Sequence, residues 1–410
     1  MQSKKIMFQG TQGQLAARLD LPASRPRGYA LFAHCFTCSK DIFAASRIAE
    51  GLADMGVATL RFDFTGLGMS EGEFANTNFT SNVDDLLRAA EYMREELQAP
   101  KLLVGHSLGG AAVLAAAGEI AEVEAVATIG APFDPEHVSH NFGDKIQEIE
   151  AAGEAEVKLA GRPFRVRKQF LEDIRSQNQA ERIRALRKPI AIFHSPIDDT
   201  VGIDNAGNIF QTAKHPKSFI TLDKADHLLT NREDAIYVAR TLVAWASRYI
   251  SGLADDGRNL PFKPQPEDVL VAETRRSKFQ QTVAVRGHRI YADEPLSIGG
   301  DNTGPTPYDL LLAGLGACTN MTLRLYADRR GVPLTRASVK LTHEKRHVED
   351  CEACLETGKP AKLDHIDREL ILEGELTEEQ RSKLVEIADK CPVHRTLHSE
   401  IRISTRLRDG

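Results

Sequence analysis

The stretch LLVGHSLGGAAVL sets Gly105, His106, Ser107, Leu108 and Gly109 between a strand-like apolar run and a helix-like one. A serine on so sharp a strand-to-helix turn has its hydroxyl pushed out beside the amides of a helix N-terminus, where an oxyanion is stabilised. The turn needs small residues two before and two after the serine, and glycines stand there. At pH 7 the hydroxyl still needs a base, and the base needs a carboxylate to orient it. Both follow in the order Ser, Asp, His. IAIFHSPIDDTV ends one strand-like run with Asp198 and Asp199, and ITLDKADHLL ends the next with Asp226 and His227. Asp226 reads as turn-forming, His106 as a hydrogen-bonding residue of the serine turn, and His137 and His140 as surface or substrate-gating groups.

The cysteines form a second set, at 35, 38, 318, 351, 354 and 391. In a long chain without a secretory leader they signal thiol or metal chemistry rather than a disulfide framework. Cys391 precedes Pro392, and proline at a first helical position makes the cysteine an N-cap whose thiolate the helix amides favour. Cys318 falls inside a helix-like run. His343, His347, Cys351 and Cys354 have zinc-like spacing, with a thiol pair or plain loop as the alternatives. Cys35 and Cys38, in AHCFTCSKD, read either as packing or as a redox pair.

These groups need elements to hold them. From residue 28 to about 250, short apolar runs alternate with amphipathic helical stretches, the pattern of an α/β domain with a mostly parallel sheet. GYALFAHCF, ATLRFDF, KLLVGHS, EAVATIGAP, PIAIFHSP and KSFITLDKADH read as strands. Residues 134–188 break the rhythm and contain a hairpin, AEVKLAGRPFRVRK, so they read as a cap inserted over one end of the sheet. Residues 251–267, rich in Gly, Asp and Pro, read as a linker. Residues 268–410 segregate strands from helices, with a long helix from about Thr306 to Arg330 and a last strand EIRISTRL, and so form an α+β domain.

The 42% hydrophobic and 27% charged content is that of a globular protein, with enough apolar material for two cores. A net charge of −6 without a basic stripe argues against nucleic-acid or anionic-membrane partners. The N-terminal residues lack the apolar core of a secretory signal, so the expected compartment is the cytoplasm.

Residues 1–250 resemble the α/β-hydrolase family, close to its serine aminopeptidase and esterase-like branch. Besides the serine turn, RFDFTGLGMSEGEF resembles the family's Arg-x-Asp-x-x-Gly-x-Gly-x-Ser segment. The resemblance selects Asp198, four after a strand-terminal His194 and three before Val201, as the acid, and His227 as the base. It implies an oxyanion hole from the backbone amides of Phe36 and Leu108, a small ester or amide substrate, and no required cofactor. In the family a glycine follows the strand-end histidine, where this chain has Cys35.

Residues 268–410 are similar to the OsmC-like and organic-hydroperoxide-resistance family, through TGPTPYDLLLAGLGACTNMTLRLYADRRG and LVEIADKCPVHRTL. That resemblance implies an intertwined homodimer in which Cys318 attacks an organic hydroperoxide and Cys391 closes a disulfide, with an external thiol reductant. The family's peroxidases carry a glutamate directly after the helix-start proline, orienting an arginine. Here Pro307 is followed by Tyr308 and Asp309, and the arginine is left open among Arg258, Arg275, Arg276 and Arg289. The alternative is a redox-regulated hydrolase whose OsmC-like part is a dimerisation or ligand-binding module.

Overall fold

The structure, a computed structural model, describes residues 2–159, 161–254, 265, 267–347 and 362–407, excluding the side chains of 346, 347, 362 and 363. It divides into two compact units, Met1–Asn259 and Leu260–Gly410, with the division inside the linker-like stretch.

The first unit runs β1 (Gln2–Gln9), β2 (Gln14–Leu21), β3 (Gly28–Ala33), α1 (Phe43–Asp54), β4 (Val57–Phe62), α2 (Phe79–Glu96), β5 (Leu102–His106), α3 (Leu108–Ala116) and β6 (Ala125–Ile129). It continues through α4 (Lys145–Ala152), β7 (Glu154–Leu159), β8 (Arg162–Arg167), α5 (Lys168–Ser176), α6 (Gln179–Ala185), β9 (Ile190–His194), α7 (Asp204–Thr212), β10 (Lys217–Thr221) and α8 (Arg232–Ala246). Eight strands form one sheet in the order β1-β2-β4-β3-β5-β6-β9-β10. Strands from β4 onward pair in parallel, and β1–β2 and β2–β4 are antiparallel.

The inner strands are apolar on both faces because helices cover both. Leu31, Leu103, Val126 and Ile192 point into one core with α2 and α3. The alternate positions Phe32, Val104, Ala127 and Phe193 point into the other with α1 and α8. On α1, Ala44, Ala45, Ile48, Ala49 and Leu52 recur at three- and four-residue steps, so one stripe is buried. Helix α2 starts on a reciprocal cap between Asn78 and Ser81, a device that contributes about 1 kcal/mol. The chain leaves β3 to one side for β4 and returns on the other side for β5, which opens a crevice at the C-terminal ends of the strands. His34, Ser107, Asp198 and His227 all follow such ends.

Two findings differ from the sequence expectations. The β1–β2 hairpin was not expected; β1 is an edge strand with exposed charges on both faces, so it lacks the alternation that marks a half-buried strand. The last strand, EIRISTRL, does not form: residues 401–407 are without strand pairing, and Ile403 and Leu407 are 85% and 96% exposed. Alternating sequence makes a strand only where another strand offers its edge.

The second unit contains β11 (Val269–Glu273), β12 (Gln281–Val285), β13 (His288–Ala292), α9 (Pro307–Arg330), β14 (Leu334–His347), β15 (Lys362–Gly374), α10 (Glu378–Ala388) and α11 (Pro392–Leu397). β11–β13 form an antiparallel sheet, and β14 pairs antiparallel with β15. Its core is small, centred on Leu323, Ala327, Leu334, Leu384 and Ala388. No helix among the described residues is long and apolar enough to cross a membrane.

Candidate active site

Ser107 has φ 55° and ψ −127°, a left-handed conformation unusual for a non-glycine residue. The turn closes because its neighbours carry no Cβ. One on Gly105 would stand 2.3 Å from the Gly109 carbonyl oxygen, and one on Gly109 would stand 2.4 Å from the His34 carbonyl oxygen. The elbow is thereby locked between β5, α3 and the end of β3.

His227 Nε2 lies 3.0 Å from Ser107 Oγ, and its Nδ1 lies 2.8 Å from Asp198 Oδ2. Asp198 Oδ1 accepts from the amides of Thr200 at 2.9 Å and Val201 at 2.8 Å. Burial pushes the Asp198 carboxyl up, but the bonds from His227, Val201 and Thr200 outweigh it and hold the group below the usual carboxylate range. The three residues that the sequence placed at separate strand ends are therefore one hydrogen-bonded chain. Asp199 lies beside it and meets Thr200, while Asp226 accepts from the Thr230 amide at 2.8 Å and from its hydroxyl.

Three buried histidines surround this chain, and each donates to a carbonyl that shapes it. His106 Nε2 donates to the carbonyl of His227 itself, His194 Nε2 to that of Val201, and His34 Nδ1 to that of Cys35, each at 2.7 Å. Burial lowers all three, His106 to about 4 with the nearby His227 adding to the effect. They are neutral struts at pH 7. His137 bonds the Thr200 carbonyl at 3.1 Å and its ring meets that of His140 at 4.8 Å.

The amides of Phe36 and Leu108 have no hydrogen-bond partner among the described residues, and both residues line one slot beside the serine turn. The turn that carries Phe36 is held from several sides. Cys35 and Cys38 are joined by a disulfide. Positive φ falls at Thr37 (59°) and not at Cys35, which explains how a cysteine can occupy the position after the histidine. The Thr37 carbonyl accepts from Arg162 of the cap hairpin. Lys40 gives its amide and its ammonium to Asp63 at 2.6 and 2.7 Å, and Arg61 reaches the Lys40 carbonyl and Asp20. Asp63 also accepts from the Met69 amide at 2.9 Å, and Ser70 Oγ donates to the Asp63 carbonyl. The Arg-x-Asp…Ser segment is thus a buried ionic scaffold for the Phe36 turn. Above it, Phe36 packs with Phe74 and with Phe142 and Phe170 of the cap at 5.5–6.3 Å.

In the second unit, Cys318 lies on α9 and Cys391 stands at the N-cap of α11, both as free thiols. Cys391 Sγ accepts from the His394 amide at 3.3 Å and the Thr319 hydroxyl at 3.7 Å. Burial raises the Cys391 thiol, but the His394 amide, Thr319, Cys318 and the Arg368 cation together bring it below its ordinary value. Arg368 bonds Thr319 Oγ1 at 3.3 Å and the Ala388 carbonyl at 3.1 Å, and pairs with Asp389. It lies outside the group Arg258, Arg275, Arg276 and Arg289, of which Arg258 is not among the described residues; in the sequence it is the middle of the charged run Asp367-Arg368-Glu369 and carries no mark of its own. Asp309 is committed to its own helix start, accepting from Thr306 N at 2.9 Å and Thr306 Oγ1 at 2.8 Å.

Of the zinc-like group, His343 pairs with Asp364 at 2.9 Å and stacks on Tyr308. The His347 side chain, Cys351 and Cys354 lie outside the described residues. Among the described residues no three His, Cys, Asp or Glu converge on a metal position.

A doubly covered parallel sheet with a strained serine turn at its switch point defines a class, and comparison agrees. The alpha/beta hydrolase family model matches residues 30–349, and the chain belongs to that family. A model of OsmC-like protein matches residues 300–406, and the chain carries an OsmC-like domain at its C-terminal end. Among solved structures, the chain is similar to the esterase domain of a Rhodothermus marinus protein, with 51% identity over 61% of this chain and 100% of that one, TM-score 0.51. It shares its fold with Est1E of Butyrivibrio proteoclasticus, solved with ferulic acid (21% identity, 58% and 98% coverage, TM-score 0.53). It also shares it with the alpha/beta hydrolase GrgF of Penicillium sp. sh18 (19%, 61% and 100%, TM-score 0.51). No curated protein matches.

Proposed function

We propose that the first unit is a serine hydrolase of ester or amide bonds in small molecules, with Ser107 as nucleophile, His227 as base and Asp198 as its orienting carboxylate. The observation that carries this is the unbroken Ser107–His227–Asp198 hydrogen-bonded chain beside two unpartnered amides. His227 takes the Ser107 proton as the Oγ–acyl bond forms, and the amides of Phe36 and Leu108 hold the oxyanion. Collapse breaks the bond to the leaving alcohol or amine, which departs with the proton from His227. Water activated by the same histidine then releases the acid and restores Ser107. The 51% identity to an esterase domain favours esters over amides. A fluorophosphonate probe labels the wild type and not Ser107→Ala; equal labelling of both defeats the assignment.

For the second unit the proposal is a thiol peroxidase working as a homodimer. The Cys318 thiolate attacks the peroxide, forming an S–O bond as the O–O bond breaks and an alcohol leaves. Cys391 then displaces the sulfenic oxygen as water, closing a disulfide that an external dithiol reduces. The lowered Cys391 thiol and the neighbouring Arg368 support this pair. Exposed apolar side chains such as Met321, Leu325 and Ile403 suit burial against a second copy. Turnover of tert-butyl hydroperoxide is expected to vanish in Cys318→Ser, and a wild type inert with every dithiol would end the peroxidase assignment.

The Cys35–Cys38 bridge favours a second reading, in which the hydrolase is redox-regulated and the OsmC-like domain is non-catalytic. Two-electron reduction by a dithiol would open the bridge and release the turn that aims the Phe36 amide. Esterase rates that are identical with and without dithiothreitol would dispose of it.

A further inference from the structure

The slot beside the serine turn is built to read a particular kind of acyl group. It runs past both unpartnered amides, with walls of Phe36, Phe64, Leu67, Phe74 and Leu108. Three polar side chains join them, His34, Thr65 and Asn82 of α2; Asn82 is 9% exposed and its side-chain carboxamide has no hydrogen-bond partner among the described residues. A carboxamide set among phenylalanines costs stability unless water or a ligand bonds it. The other two polar side chains are engaged: His34 donates from Nδ1 to the Cys35 carbonyl at 2.7 Å and accepts at Nε2 from the Phe64 amide at 3.4 Å. Thr65, on the same wall, is bonded through both its amide and its hydroxyl to Asp85, at 2.8 and 3.1 Å. The Asn82 carboxamide is therefore the group in the slot that is free to meet a ligand.

Neither Ser107 nor His227 lines the slot, which meets the serine turn through Leu108 and Gly109. Because His227 must hand its proton to the leaving group, the leaving group has to face the histidine, and the slot falls on the acyl side of the scissile bond. Phe36 and Phe74 on its wall stand 5.7 Å apart between ring centroids and narrow it. While these rings stand, they limit how far a hydrocarbon chain can extend.

From this we infer that the slot is an acyl-binding site for short acyl groups, two or three carbons long, that carry a hydroxyl or keto oxygen bonded by Asn82. The inference rests on the serine-hydrolase assignment and adds its substrate class. A site that offers a buried hydrogen-bonding group discriminates strongly against a substrate unable to use it, whereas an extra methylene alone discriminates weakly. Phe74 and Phe36 then set the length limit and Asn82 sets the polarity.

The test compares kcat/KM for ethyl lactate and ethyl propionate, which share a carbon skeleton, in wild type and Asn82→Leu. The lactate-to-propionate ratio is expected to fall at least tenfold in the variant; taking the change in ratio removes the greater intrinsic reactivity of the hydroxy ester. In parallel, p-nitrophenyl acetate is compared with the octanoate. Wild type is expected to prefer the acetate by more than tenfold, and Phe74→Ala to erode that preference at least tenfold. A ratio shifted less than twofold in a folded Asn82→Leu overturns the inference, as does a wild type that hydrolyses octanoate as well as acetate. Should Asn82→Leu not fold, the length profile and Phe74→Ala still decide. Absence of Ser107-dependent hydrolysis of any of these esters would instead bring down the hydrolase assignment, and the acyl slot with it.

Discussion

Replacing Asp198 with Asn tests the proposed chain at the point where the structure allows a magnitude to be worked out. Oδ1 of Asp198 accepts from the amides of Thr200 and Val201, and Oδ2 faces His227 Nδ1. In Asp198→Asn the two amides retain the oxygen, so the new NH₂ points at Nδ1. His227 then has to accept there and carry its proton on Nε2, where it can no longer deprotonate Ser107. Turning the carboxamide over would restore the working tautomer but would leave two buried amide donors facing a donor. Each unsatisfied donor costs about 1–3 kcal/mol, so the working form is suppressed by about 2–6 kcal/mol. Loss of the charge that steadies the imidazolium adds to this, and the expected fall in kcat/KM for p-nitrophenyl acetate is roughly 10³- to 10⁴-fold. The fold keeps both backbone bonds, so the melting temperature changes by only a few degrees. A folded variant that loses less than about tenfold would refute the assigned geometry.

Other consequences can be measured separately. His106 is held near 4 when folded and titrates near 6.5 when unfolded, so the unfolded state binds more protons and stability falls as pH drops from about 6.5 toward 4. Its share is about 2 kcal/mol between pH 6.5 and 5; denaturant titrations of wild type and His106→Gln should show a shallower acid dependence in the variant, and parallel curves would contradict the burial argument. Gly109→Ala drives a methyl to 2.4 Å from the His34 carbonyl oxygen, and a loss of about 3 kcal/mol or more is expected by thermal melt; an unchanged melting temperature would show that the elbow tolerates side chains. Arg368→Met removes the cation beside Cys391, so the pH midpoint of Cys391 alkylation moves upward, and an unmoved midpoint would take Arg368 out of the thiol site.

Much of this site is legible because its residues sit where local chain chemistry changes. Ser107, Asp198 and His227 each follow an apolar run, and glycine at 105 and 109 marks a close approach without any knowledge of what approaches. Cys391 declares itself as an N-cap through Pro392. Other residues had no such mark. Arg368 sits on β15 as one charge among several, and Asn82 is an ordinary polar residue on a helix. Their importance depends on what α9 and the Phe36 turn bring against them. The unpaired EIRISTRL segment makes the same point in reverse, since its pattern is that of a strand but no edge meets it.

Periodicity, punctuation and motif spacing are properties of neighbours along the chain, and from them the sequence by itself determined the doubly covered parallel sheet, the serine turn and the order of its partners. Tertiary structure alone decided the rest. It made the Arg61–Asp63 segment a brace for the Phe36 turn, turned His34, His106 and His194 into neutral struts, joined Cys35 to Cys38 with positive φ at Thr37, set Arg368 against the thiols and left Asn82 free in an apolar slot. Each of these depends on the register between segments far apart in sequence, and a buried polar group takes its role from whichever partner that register supplies or withholds.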